Sequence, residues 1–264
     1  MDLGTGLTLF GSAKLMEKFL GPTLEYFGEG IKDFSKKRVE NLKKIFNNAI
    51  KKSNDEIDNQ YSIPPRVLQG IIQEGSMVED FIAIEYFGGV LASSRSGISR
   101  DDRGKYFTSL LSRLSIYQIR AHYIIYHIFK KVYNGKKIKT VKDLGDNKLD
   151  NWIFISAESF IHAMDFQDSE IEESFNIATH ILSGLQRENL IEGFQAGMIG
   201  NNLGRHFDGA RGQGIICGFS ISGIELFLWA YGKRKIPIDE FWLRKNIFKI
   251  DKSVKLKRDY GPAF

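Results

Sequence analysis

Apolar side chains in the first half of the chain recur mostly three and four residues apart, which places them on one face of an α-helix. From residue 14 to residue 52 this pattern predicts short helices that lead into one amphipathic helix. Proline suits a first helical turn, so Pro64 and Pro65 predict the start of another helix. Helices are also expected over residues 77–91 and 107–114, with a polar loop over residues 93–104 between them.

The second half of the chain alternates helical and extended patterns. In order, they are helices at 115–132, 156–164 and 170–190, a strand from Leu190-Ile191, and an apolar strand at 215–221 before a helix near Ser222. Between the two strands lies a Gly-rich polar stretch, residues 193–214. Three helices, a strand, an excursion and a returning strand form the order of a winged helix-turn-helix, with the Gly-rich stretch as the wing.

The predicted fold is therefore mainly α, with an N-terminal helical region followed by a winged-helix-like α+β region that has a long Gly-rich wing. The predicted regions are N-terminal helices at 1–60, a helical core region at 61–114, the winged-helix-like region at 115–232, and a basic C-terminal tail at 233–264 that packs on the core. A chain of 264 residues suffices for one large domain or two small ones.

Composition places the chain among ordinary folded proteins. Hydrophobic residues make up 42% and charged residues 26%, with a mean hydropathy of -0.23, which excludes a disordered, collagenous or fully membrane-embedded chain. The single cysteine, Cys217, can form neither an intrachain disulfide nor a thiolate-rich metal cluster. A reducing, cytoplasmic location is therefore expected, with Cys217 as an inert packing residue of an apolar strand.

The most apolar stretch, residues 214–232, is about as long as a membrane-spanning helix. Glu225 within it would be costly at bilayer depth, and its Ser and Gly residues suit a change from strand to helix. A buried strand followed by a buried helix is the favoured interpretation. Asp2 argues against a secretory signal peptide, while contact of Leu3, Leu7 and Phe10, or of the aromatic-basic tail, with an anionic lipid surface stays open.

The formal net charge of +5 permits a polyanionic partner. The predicted reading helix, residues 170–190, is however acidic and has Arg187 as its fixed cation, which argues against major-groove contact. Basic side chains elsewhere are the candidates for binding nucleic acid or another anionic partner: Lys136, Lys137, Arg205, Arg211, Lys233, Arg234, Lys235, Arg244 and Lys245. For the tail, the favoured alternative is a C-terminal helix with Trp242 packed on the core and its lysines in water.

Sequence motifs for catalysis and cofactor binding are not found. Residues 201–214 lack the strand, turn and helix order of a P-loop, and the chain has neither HExxH nor GxSxG. No catalytic residue, metal site or cofactor is therefore predicted. An enzyme with a site assembled from Arg205, His206, Asp208 and Arg211 is kept as a third hypothesis.

Several phrases of the sequence resemble the bacterial abortive-infection alpha (Abi-alpha) family. They are KFLGPTLEYFGEGI, KKRVENLKKIF, IPPRVLQGIIQEGSMVED, EYFGGVLASS, YFTSLLSRLSIYQIR and ISGIELFLWAYG. The resemblance covers most of residues 14–232 and consists of packing residues and helix caps. The stretch 193–214 and the basic tail after Gly232 depart from the family pattern.

This resemblance implies a role in bacterial defence against phage, in a family that offers no catalytic motif to carry over. The leading hypothesis is a cytoplasmic, non-enzymatic antiphage protein that acts through protein interaction or sensing, with a host or phage protein as its partner. The alternative is a nucleic-acid-binding regulator that uses the basic tail and the wing.

Overall fold

The structure, a computed structural model, describes residues 13–31, 34–53, 56–138, 152–199, 212–244, 247–257 and 259–263. Over these residues the protein is mainly helical and contains a four-stranded antiparallel sheet, as expected for a mainly α chain with an α+β second half. Contacts divide the chain into two units. The first comprises residues 1–116 and 228–234, and the second comprises residues 117–227 and 235–264.

The first unit is built from helices. They are α1 Ala13–Leu20, a 3₁₀ turn Gly21–Thr23, α2 Leu24–Ile31, α3 Lys36–Lys52, α4 Pro65–Gly70, a π-helical turn Ile71–Gly75, α5 Phe81–Ser94 and α6 Gly104–Arg113. The predicted helices over residues 14–52 and the Pro65 start are confirmed. Helix α5 begins later than residue 77, because the Asp80 carboxylate caps it by accepting the Ala83 N–H at 2.9 Å.

Helices α3 and α5 form the centre of the first unit. The apolar stripe of α3 is buried, whereas α5 is buried on almost all sides. Lys52 at the end of α3 donates to the carbonyls of Glu85 and Ala230 at 2.8 and 2.9 Å. A Cβ on Gly89 would lie 1.7 Å from the Ala230 carbonyl oxygen, so this approach of two backbones requires glycine.

A buried arginine joins separate segments of the first unit. Arg95, at the C-cap of α5, is 2% exposed, and its guanidinium donates to five backbone carbonyls. These carbonyls belong to Lys18, Phe19, Glu56, Ile57 and Asn59, at distances from 2.5 to 3.1 Å. The same guanidinium lies over the rings of Phe19 and Tyr61. One side chain thus holds the C-terminal turn of α1 and the turn at residues 56–59.

We expect Arg95→Met to lower the free energy of unfolding by at least about 3 kcal/mol, because carbonyls in a dry site would lose their charged donor. Arg66→Met is the matched control: its exposed ion pair with Asp102 should be worth less than about 1 kcal/mol. Urea unfolding followed by circular dichroism measures both. Equal unfolding midpoints for the two variants would contradict this role of Arg95.

The second unit combines helices with the sheet. Its elements are α7 Ile116–Val132, β1 Trp152–Ser156, α8 Ala157–Met164, α9 Asp168–Glu172, α10 Ser174–Arg187, β2 Ile191–Ile199, β3 Gly212–Phe219, α11 Ile221–Ala230, a 3₁₀ turn Ile238–Glu240 and β4 Tyr260–Pro262. By the division above, Ile116 at the start of α7 and the last residues of α11, from Leu228, belong to the first unit.

The sheet has the strand order β2-β3-β1-β4, and all its pairings are antiparallel. Strands β2 and β3 extend into the Gly-rich stretch 193–214, pairing as far as Ile199 with Gly212, so part of the predicted wing is a regular ladder. Residues 200–211 lie outside the described residues. Strands β1 and β4 are absent from the sequence prediction. Pairing with β3, for example Ile153 with Cys217, places the short β1 in the sheet.

Tyr126 of α7 connects the ends of the two long strands. Its hydroxyl donates to the Leu190 carbonyl at 2.8 Å and accepts the Ser220 N–H at 3.1 Å. A Cβ on Gly223 would lie 1.9 Å from this hydroxyl oxygen, so glycine is required where α11 passes it. The strand-to-helix change expected within residues 214–232 is confirmed. Among the helices that the structure describes, none has the length and apolar character needed to cross a bilayer.

The C-terminal segment packs on the core through its aromatic residues. Trp242 is fully buried, its ring 4.9 Å from that of Phe219, as expected. The predicted C-terminal helix is wrong, because the described residues after 235 contain a 3₁₀ turn that follows Pro237 and the strand β4. The Lys130 ammonium, itself largely buried, donates to the Trp242 carbonyl at 2.9 Å, and burial lowers the pKa of Lys130 to about 8.

Two buried histidines of α7 make the second unit sensitive to acid. Burial lowers the pKa of both His122 and His127 to about 3. In the unfolded chain the pKa of a histidine side chain is about 6.5. Between these values the unfolded chain binds more protons, so stability is lost as the pH falls from about 6.5 to 3. His127→Phe should reduce that loss by up to about 1.4 kcal/mol per pH unit.

Unfolding free energies from pH 7 to 4 measure this difference. Phe129→Leu is the control, because it changes a buried side chain of the same helix without removing a titratable group, so its pH profile should run parallel to that of the wild type. A His127→Phe profile parallel to that of the wild type would contradict the assignment.

Candidate functional site

The helix expected over residues 170–190 is two helices, which changes the location of its charges. Helix α9 ends at Glu172, Glu173 has φ −95° and ψ 8°, and α10 begins at Ser174. Glu170 and Glu172 lie on α9, Glu173 lies at the break, and Glu188 is the C-cap residue of α10. Helix α10 itself contains no acidic residue between Ser174 and Arg187. The expectation of one acidic reading helix is therefore corrected, because the break at Glu173 separates the acids of residues 168–173 from α10.

Hydrogen bonds hold the short helix α9 in place. Asp165 adopts the left-handed conformation, φ 58°, and ends α8. The Glu170 carboxylate then accepts the Gln167 N–H at 2.7 Å and the Tyr117 hydroxyl. These bonds lower the pKa of Glu170, and the bond to Glu170 raises the pKa of Tyr117. The position of α9 against α7 is thus defined by a charged hydrogen bond.

Two large apolar side chains are exposed beside these acids. Ile171 is 46% and Phe175 is 67% exposed. Phe175 lies seven residues before the buried Leu182, on the same helical stripe, so periodicity alone would place it in the core. Asp168, Glu172 and Glu173 are exposed around them in sequence. We call Asp168, Ile171, Glu172, Glu173 and Phe175 the α9–α10 patch.

Phe175 also lines a small apolar groove of about 80 Å³, roughly the volume of two or three water molecules in the liquid. Its other walls include Phe160 and Phe166, Ala178 of α10, and Ile215 of β3. A groove of this size can take one small apolar side chain. Phe175 therefore belongs both to this apolar groove and to a segment that carries the exposed acids Asp168, Glu172 and Glu173.

Apart from Phe175, the exposed side chains of α10 are polar. They are Asn176, Thr179, His180, Ser183, Gln186 and Arg187. The Asn176 amide donates to the Glu173 carboxylate at 2.7 Å, and the Thr179 hydroxyl donates to the Phe175 carbonyl at 2.9 Å. Toward Arg187 this face carries the amide, hydroxyl and guanidinium groups that can contact phosphates or base edges.

The basic residues selected from the sequence fall into different settings. Lys136 and Lys137 are exposed after α7, and the Lys136 ammonium lies 5.3 Å from the Tyr133 ring centroid. Arg244 is exposed and donates through Nε to Glu240 at 2.8 Å. Arg205, Arg211 and Lys245 lie outside the described residues, as do His206 and Asp208 of the hypothetical enzyme site.

The basic run at 233–235 is divided between the two units, with Lys233 and Arg234 in the first and Lys235 in the second. Arg234 is largely buried. Its Nη1 lies 3.5 Å from the Asp101 carboxylate, and its Nη2 donates to the Arg95 carbonyl at 3.3 Å. Arg234 therefore acts within the fold of the first unit, and this carboxylate offsets its charge.

Side chains that could ligate a metal ion do not cluster in the described part of the chain. No three His, Cys, Asp or Glu side chains there lie close enough together to hold a metal ion. Cys217 is fully buried in β3, and burial raises the pKa of its thiol to about 12. The expectation that Cys217 is a packing residue of an apolar strand is confirmed.

Comparisons of the chain with protein-family models, with curated proteins and with solved structures find no match.

Phe175 should contribute little to folding, because most of its surface is already in water. We expect Phe175→Ser to change the free energy of unfolding by about 0.5 kcal/mol or less. Phe160→Ala, at a neighbouring wall residue that is 2% exposed, should lower it by about 3–5 kcal/mol. Urea unfolding of both variants tests the contrast. A loss above about 2 kcal/mol for Phe175→Ser would show that Phe175 is a core residue.

Proposed function

We propose that residues 117–227 form a winged helix-turn-helix that acts as an interaction module. The order helix α7, strand β1, helices α8 to α10 and strands β2 and β3 supports this architecture. So does the sheet, in which β3 pairs with both β2 and β1. In this architecture α10 is the helix presented to a partner, and residues 199–212 connect the strands of the wing.

The α9–α10 patch is the proposed binding surface, and its partner is a protein segment. The observation that carries this proposal is the exposed Phe175 ring at the mouth of an apolar groove. Exposed aromatic side chains at a pocket are typical anchors of protein interfaces. The acids around it favour a partner with a small apolar side chain flanked by lysine or arginine.

The resemblance to Abi-alpha proteins supports a role for this module in antiphage defence. In this proposal the protein is cytoplasmic and non-enzymatic, and it acts by sensing or binding a host or phage protein.

A second candidate function is contact of the outer face of α10 with nucleic acid. The lack of acidic residues between Ser174 and Arg187 supports it.

The defence proposal is tested by phage plating on a susceptible host that expresses the wild type, Phe175→Ser or Tyr106→Ser. Tyr106 is 52% exposed on α6 in the first unit and serves as the matched control. We expect the wild type and Tyr106→Ser to reduce plating and Phe175→Ser to restore it, at equal protein levels. Unchanged plating with the wild type across a broad phage panel would remove the defence role. Full protection by Phe175→Ser would exclude the α9–α10 patch as the binding surface used in defence.

Fluorescence anisotropy with a labelled duplex and a labelled single strand tests the nucleic-acid candidate. If α10 contacts phosphates, affinity should fall steeply with salt, and Arg187→Gln should weaken binding and lower the salt slope by about one contact. Arg100→Gln removes the same charge from an exposed position of the first unit and should have no effect. No binding at low salt, or equal loss in both variants, would exclude this function for α10.

A further inference from the structure

The first unit contains a cavity of about 530 Å³ that the proposed interaction module does not use. Its walls come from α2, the start of α3, α4 and the π-helical turn. The lining side chains relevant to binding are Tyr26, Phe34, Arg38, Arg66, Gln69 and Gln73. Pockets for small molecules commonly measure about 300–1,000 Å³, so the volume suits a single small ligand.

The π-helical turn Ile71–Gly75 shapes one wall of this cavity. Ile71 and Ile72 are buried, whereas Gln73 is a lining residue. Gln69 of α4 lines the cavity four residues earlier, so two amide side chains are presented by consecutive turns. π-Helical turns are rare and frequently occur at functional sites. The interruption of regular helix at this wall is a second indication, beside the cavity itself, of a binding site.

Arg38 is held in a fixed orientation at the cavity. Its guanidinium carbon lies 3.5 Å from the centroid of the Phe34 ring. Its Nε and Nη2 donate to the Ser76 hydroxyl at 3.0 and 2.9 Å, and that hydroxyl in turn donates to the Gln73 carbonyl at 3.2 Å. Nη1 takes no part in these bonds. A pre-oriented guanidinium of this kind suits recognition of a phosphate or carboxylate and also stacks on flat rings.

The other lining groups indicate an anion that carries a planar ring. The charged residues that line the cavity are two arginines, Arg38 and Arg66, and one acid, Glu29. Arg66 also pairs with Asp102 at 2.9 Å. Tyr26 is 59% exposed, and its ring offers a face for stacking. The amides of Gln69 and Gln73 provide donors and acceptors for the edge of a heterocycle.

We propose that this cavity binds a mononucleotide-sized ligand that joins a planar heterocycle to a phosphate. Arg38 contacts the phosphate, Tyr26 stacks on the ring, and the glutamine amides contact the ring edge. This site lies in the first unit, and the proposal is independent of the α9–α10 patch in the second.

Isothermal titration calorimetry of the full chain with nucleoside 5′-monophosphates, adenosine and inorganic phosphate tests the proposal. We expect at least one monophosphate to bind, with adenosine and phosphate each at least about tenfold weaker, because each lacks one recognised part. No binding of any monophosphate at millimolar concentration would overturn the proposal. Equal affinity for phosphate alone, or for adenosine alone, would also overturn it.

Variants then place the ligand in the cavity. Arg38→Gln should weaken binding of the monophosphate by about tenfold or more, whereas Lys37→Gln removes the same charge from an exposed neighbour paired with Glu79 and should not. Tyr26→Ser, at a position that is 59% exposed, should also weaken binding, with Tyr106→Ser as its control. Unchanged affinity in both Arg38→Gln and Tyr26→Ser would show that the ligand binds elsewhere.

Discussion

The guanidinium of Arg95 is the interaction on which the first unit most depends. It lies in a dry site and replaces its lost hydration with five backbone carbonyls from two segments far apart in sequence. Through Lys18 and Phe19 it holds the end of α1, which continues through a 3₁₀ turn into α2. Helix α2 is a wall of the 530 Å³ cavity. The candidate ligand site is therefore built on a polar contact rather than on apolar packing alone.

In the second unit the neutral hydroxyl of Tyr126 has a role comparable to that of the Arg95 guanidinium in the first, because it connects separate segments. Tyr126 joins the residue that precedes β2 to the residue that follows β3, and Gly223 permits the close approach of α11. This contact fixes where the long hairpin begins and ends. Because α10 leads directly into β2, the same contact constrains α10 and so the α9–α10 patch. Phe175 lies on the surface of this unit, where a single exposed apolar side chain is common in folded proteins.

The candidate sites show where sequence reasoning succeeds and where it fails. Charge density selected the basic tail, yet Arg234 pairs with Asp101, a partner more than a hundred residues earlier. The acids of residues 168–173 were recognised from sequence, but the helix break at Glu173 that separates them from α10 is not marked by Gly or Pro. The lining of the cavity, from Tyr26 to Gln73, has no sequence motif, because it is assembled by packing of separate helices.

Local pattern by itself determined the helices of residues 14–52, the helix at 116–132, the strand-to-helix change near residue 220, and the burial of Cys217 and Trp242. These features follow from the spacing of apolar residues, a local pattern that can be recognised within a few turns of helix or one strand. Tertiary structure decided the strand pairing that recruits Trp152–Ser156, the exposure of Phe175, and the partners of Arg95 and Arg234. The physical reason is that a side chain's environment depends on which other segment packs against it, and that segment is distant in sequence.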